Sequence, residues 1–125
     1  MKIMEKNTYA SLFETYSNAW AETDATERMK LLNLSVDPEC TYTDPLLQVI
    51  GYGPLSGYMA ELQKDVPGIH FVTTDFKTHH DQSLVHWNMV NGDGHVLAPG
   101  TSFLRHAPDG RLKQMSGFFE QPVAV

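Results

Sequence analysis

Tyr42-Thr43-Asp44-Pro45 is the stretch whose residue types and spacing could do chemistry. Side chains alternate along a strand, so Tyr42 and Asp44 share one face, and Pro45 ends the strand. If that face looks into a closed pocket, the carboxylate is either a general base or a costly structural residue. Desolvation in an apolar pocket disfavours the charged form of Asp44, which suits a base that takes a proton from carbon. The competing reading is a turn cap, with the carboxylate accepting backbone N–H groups just past Pro45. Tyr16 is the second candidate. It lies four residues before Trp20, so both sit on one helix face. Its phenol could donate to a carbonyl oxygen that gains charge, although aromatic residues at this spacing also serve as plain core.

His86 and Asn88 alternate with Val85, Trp87 and Met89, and a one-residue slip would exchange which set faces a pocket. Hydrophobic content alone favours Val85, Trp87 and Met89 inside. In the other register His86 could shuttle protons or orient a substrate oxygen. The remaining histidines suggest no metal centre. His79 and His80 point to opposite faces of a strand, His70, His95 and His106 are scattered at strand ends, and no His-Glu-x-x-His or cysteine cluster occurs. Cys40 reads as a buried core thiol with no triad around it. Gly92, Gly94, Gly110 and Gly117 read as turn or bend residues, and no phosphate-cradling loop is present. No cofactor is expected.

The elements that must position these groups are legible from periodicity. Tyr9, Leu12, Phe13, Tyr16, Ala19 and Trp20 recur at helical spacing over residues 8–22. Asp24 with Glu27 reads as a capping box opening a second helix through Leu34, which Asp37-Pro38 breaks. A short strand follows from Cys40 to Asp44, with Leu47 to Ile50 a candidate for another. Pro54 suits the first turn of a third helix, which Pro67-Gly68 stops. Residues 69–79, 83–90, 95–106 and 112–120 read as strands joined by turn signals at His80-Asp81-Gln82, Asn91-Gly92-Asp93-Gly94 and Ala107-Pro108-Asp109-Gly110. The result is an α+β domain whose curved, mostly antiparallel sheet wraps against three helices and leaves a cone between them.

A chain of 125 residues is one domain with room for a real core. Its net charge of −6 argues against nucleic acid or an anionic membrane as partner. The single cysteine excludes an internal disulfide and fits a reducing cytoplasm. Residues 1–6 lack the apolar run of a signal peptide, and no segment could span a bilayer.

This order of elements resembles the nuclear transport factor 2-like superfamily, whose fold is a cystatin-like half-barrel. Within it the chain looks most like the SnoaL-like polyketide cyclases and steroid Δ-isomerases. The resemblance covers nearly the whole chain. It is carried by Tyr16 and Trp20, by Tyr42-Thr43-Asp44-Pro45, by Gly51 before the third helix, and by Gly100-Thr101-Ser102-Phe103, Asp109-Gly110-Arg111-Leu112 and Gly117-Phe118-Phe119. It implies a base at Asp44 and an oxyanion donor at Tyr16. The Ala98-Pro99 landmark places Thr101 where the isomerases carry a protonated aspartate, so a hydroxyl stands in for a carboxylic acid. Carried back without a gap, the same alignment turns Leu84, His86 and Asn88 toward the cone.

The expected function is cofactor-free proton transfer on a small hydrophobic carbonyl compound, by an isomerase or cyclase. Asp44, Tyr16 and His86 are the candidate catalytic residues. Trp20, Tyr42, Tyr58, Met59, Asn88, Thr101, Phe103, Met115 and Phe119 are the candidates for the substrate-binding wall. Two rivals remain. One is a non-catalytic ligand-binding or dimerisation module. The other is epoxide hydrolysis, which in this fold uses an Asp-Arg-Asp arrangement and for which Arg105 is the nearest arginine. A homodimer through the outer face of the sheet is expected, because Val85, Trp87 and Met89 on one face offer more apolar surface than a monomer should expose.

Overall fold

A computed structural model describes residues 6–120. Helix α1 (Lys6–Ala19) buries Tyr9, Phe13, Tyr16 and Ala19, the steps of three and four that put side chains on one stripe. Asp24 caps α2 (Ala25–Ser35), its carboxylate accepting from the N–H groups of Thr26 at 2.9 Å and Glu27 at 3.1 Å. Only half of the expected capping box forms. The Asp24 N–H goes to the Glu22 carboxylate at 3.1 Å, while Glu27 pairs with Lys30.

Asp37-Pro38 does not separate α2 from the next strand by a loop. β1 (Val36–Asp44) starts directly at the helix end, and its pairing slips between Val36 and Thr41. The irregularity accommodates Pro38, which has no N–H to give a ladder. β2 (Leu47–Ile50) folds back on β1. Gly51, at φ +86°, then turns the chain into α3 (Tyr52–Asp65), a backbone conformation that L side chains rarely adopt.

β3 (His70–His79), β4 (Gln82–Val90), β5 (Val96–His106) and β6 (Leu112–Phe118) form the antiparallel meander. The six-stranded sheet runs β2-β1-β6-β5-β4-β3, with β1 parallel to β6. Register shifts at Thr73/Asp75, Met89/Val90 and Arg105/His106 mark the irregularities that bend such sheets.

The helices cover one face of this curved sheet. A buried arginine ties them together: Arg28 donates to the Glu22 carbonyl at 3.0 Å, to Ser56 Oγ at 3.0 Å and to Gln63 Oε1 at 3.1 Å. Gln63 in turn donates to the Trp20 carbonyl at 2.8 Å, so the residue just past α1 is pinned to α3. On β4, Val85 and Trp87 are buried inward, and His86 pairs across the ladder with Thr101 on the opposite face. The register that turned Leu84, His86 and Asn88 inward is therefore corrected. The basis for dimerisation is corrected with it, because Val85, Trp87 and Met89 pack under the helices and not on an open face.

Candidate active site

Between sheet and helices lies a cavity of about 560 Å³. Its wall draws Phe13, Tyr16, Ser17 and Trp20 from α1 and the turn after it. Tyr42 and Asp44 come from β1, Tyr58 and Leu62 from α3, and Phe71, Trp87, Met89, Ser102, Gly117 and Phe119 from the meander side. Of the residues singled out from sequence, Asp44, Tyr16, Trp20, Tyr42, Tyr58 and Phe119 come together here.

The others do not. Met59 and Met115 are fully buried in the core and do not reach the wall. His86, Asn88 and Thr101 share a shallow hollow on the outer face, where His86 Nδ1 lies 2.9 Å from Thr101 Oγ1. Phe103 is also outside, opposite Leu84 on the ladder and under the Arg105 guanidinium at 5.9 Å. Arg105 pairs with Asp81 at 3.4 Å, away from the cavity, so the arginine expected for epoxide hydrolysis is not at the site. The physical reason is common to all four outward residues. A pleated strand sends neighbours to opposite faces, and the Ala98-Pro99 landmark is one residue out of phase with the register that forms. Ser102, not Thr101, reaches the cavity.

Asp44 is 9% exposed, and each of its oxygens has two donors. Oδ1 accepts from the N–H groups of Leu46 at 2.8 Å and Leu47 at 3.2 Å. Oδ2 accepts from the phenols of Tyr42 and Tyr58, both at 2.7 Å. The turn-cap reading and the pocket reading thus describe the two oxygens of a single side chain. The apolar isolation expected around the carboxylate is replaced by four donors, about the number of lone-pair sites a carboxylate offers.

Burial pushes the Tyr42 phenol above the ordinary tyrosine value, and neighbouring Tyr16 and Asp44 push it the same way. Tyr58 is raised by burial and then by its bond to Asp44. Tyr16 is raised chiefly by burial, with Trp20 opposing. All three phenols therefore keep their protons through the neutral range. Tyr42 and Tyr58 spend theirs on Asp44, whereas the Tyr16 hydroxyl donates to no acceptor among the described residues.

Trp87, Ser102 and Gly100 form a unit that the sequence does not single out as a site. The Trp87 indole donates to Ser102 Oγ at 3.0 Å and lies across Gly100, where a Cβ would meet the ring at 2.1 Å. The available signal is the glycine two residues before a serine on a strand facing a tryptophan. Among the described residues no cluster of three His, Cys, Asp or Glu could hold a metal, and no helix is long and apolar enough to cross a membrane.

The architecture has known counterparts among solved structures. A provisional isomerase of the SnoaL-like family from Agrobacterium tumefaciens superposes with a TM-score of 0.84 at 25% identity, covering 92% of this chain and 99% of that one. A provisional SnoaL-like polyketide cyclase from Jannaschia sp. gives 0.74 at 14% identity, covering 96% and 90%. A protein of ketosteroid isomerase-like fold from Catenulispora acidiphila, in complex with trimethylamine, gives 0.71 at 16% identity, covering 87% and 85%. The chain has the cystatin-like, nuclear transport factor 2-like fold of the SnoaL-like proteins. No family model matches its sequence, and no curated protein does. Within this SnoaL-like fold the cavity occupies the space between sheet and helices, and among the described residues Asp44 is the one carboxylate the strands place in its wall.

Proposed function

We propose that the chain is a cofactor-free isomerase or cyclase that moves a proton on a small hydrophobic carbonyl compound. The observation that carries this reading is a buried carboxylate facing a mostly apolar cavity that also holds a phenol, Tyr16, whose proton goes to no acceptor among the described residues. Asp44 Oδ2 would take a proton from the carbon beside the carbonyl. The C–H electron pair then moves into an enolate whose oxygen accepts from Tyr16, and return of the proton to a different carbon gives the isomer. Ser17 and Ser102 place further hydroxyls in the wall.

Abstraction needs a lone pair, so one of the four donors on Asp44 must let go. Tyr58 is the less buried of the two phenols and would be the one to release. A second reading, a ligand-binding module without turnover, is favoured by that same saturation of the carboxylate.

The deciding experiment is isomerisation of a panel of small β,γ-unsaturated cyclic ketones, followed by the ultraviolet absorbance of the conjugated product. Asp44→Asn keeps an acceptor for the turn amides and removes the base, so turnover should fall by about 10²–10⁴. Turnover unchanged in that variant excludes Asp44 as the base, and absence of turnover across the panel supports the binding module.

The reading includes a second copy of the chain on the outer sheet face, where Val72, Leu84 and Phe118 are 47%, 39% and 61% exposed. Sedimentation should give a dimer, and a monomer at every concentration would remove this part of the proposal.

A further inference from the structure

We propose that the cavity is built for the positively charged end of its ligand, specifically a quaternary ammonium group. The inference rests on the small-molecule reading above and adds the class of substrate. It starts from charge. Among the described residues the charged members of the wall are Asp44, buried, and Glu120, exposed. No lysine, arginine or histidine joins them. The three arginines are committed elsewhere: Arg28 to carbonyls and neutral side chains beneath the helices, Arg105 to Asp81, and Arg111 to Asp109. A neutral guest would leave two carboxylates at one cavity without a counter-charge.

The rest of the wall is what a soft cation prefers. Trp20 is the hub of an aromatic chain, its ring centroid 5.6 Å from Tyr42, 5.7 Å from Tyr58 and 5.7 Å from Phe71. Phe71 continues to Trp87 at 5.1 Å, and Trp87 to Phe119 at 6.4 Å. All six of these rings line the cavity, and the electron-rich face of an aromatic ring attracts a cation, more so where water is excluded.

The hydrogen-bond inventory then selects the kind of cation. All four acceptor sites of Asp44 are taken, so the N–H groups of a primary ammonium would find no vacant lone pair on it. A quaternary nitrogen, with no N–H, needs none. It keeps the attraction of the carboxylate's charge and offers methyl groups to the rings.

The test compares choline with 3,3-dimethyl-1-butanol, which has its shape without its charge. Binding is read from the indole N–H signals of Trp20 and Trp87, the only tryptophans in the chain. Choline should bind about tenfold more tightly than the alcohol. Asp44→Asn should bring that ratio toward one, and Glu120→Gln, an exposed substitution that spares the fold, should lower it partway. Equal affinity for the two compounds, or indole signals that choline leaves unmoved, overturns the inference. The readout is separate from turnover. Ketone isomerisation lost in Asp44→Asn without any choline preference sinks the cation alone, and a choline preference without isomerisation sinks the chemistry alone.

Discussion

Along β4, Val85, Trp87 and Met89 turn toward the helices while Leu84, His86 and Asn88 turn away, and the two faces satisfy their polar groups differently. Inside, the Trp87 indole reaches Ser102 at 3.0 Å and the Asp44 oxygens reach donors in the turn, β1 and α3. Outside, His86 and Thr101 make a half-buried contact of nearly the same length, 2.9 Å, on the face turned away from the helices. Equal distances do not have equal consequences. A buried polar atom that loses its partner, as Tyr42 would without Asp44, bears the whole desolvation cost, whereas a half-buried one can exchange its partner for water.

Three substitutions or conditions should widen or break this contrast. The largest change is expected at Gly100, whose missing Cβ is the space taken by the Trp87 ring. Gly100→Ala should push the indole off its seat and lower stability by about 1–3 kcal/mol in urea denaturation. A full-strength fold with the Trp87 indole signal unmoved would show that the ring is not held by that contact.

Next is alkaline pH. Tyr16 and Tyr42 titrate higher in the fold than the ordinary 10.0, chiefly through burial. The unfolded chain therefore releases these protons first, so stability is intact below pH 10 and falls as pH rises above it. The slope is about 1.4 kcal/mol per pH unit for each buried phenol still protonated. Tyrosinate absorbance should lag in the native protein and rise together with unfolding. Early titration of these phenols without unfolding would mean that they are wet.

The smallest change is expected outside. His86→Ala should alter stability by no more than about 0.5 kcal/mol and leave ketone turnover unchanged. A loss of turnover in that variant would bring the outer hollow back into the chemistry.

Much of the molecule is legible in its sequence. The helix stripe of Tyr9, Phe13 and Tyr16, the Asp24 cap and the turn residues of the three hairpins depend on neighbours a few positions away, and local spacing encodes them. Tyr42 beside Asp44 follows from alternation in the same way, and the bond between them is 2.7 Å long. The expectations that fail are long-range. Phe103 and Thr101 lie outside rather than in the wall because a strand pattern has no marker for which of its two faces is covered. Met59 and Met115 have the chemistry of a pocket wall and of a core alike, and packing puts them in the core.

The amino-acid order determined the elements, their breaks and the pairing of a carboxylate with a phenol on one side of a short strand, since each depends on dihedral preference and spacing within a few residues. Three-dimensional packing decided the rest. An alternation of period two looks the same after a shift of one residue, so only the helices lying on one side of the sheet could choose Trp87 over His86 as the inward residue. Tyr58 reaches Asp44 from α3 for a similar reason: the donors a carboxylate finds depend on which distant element folds over it.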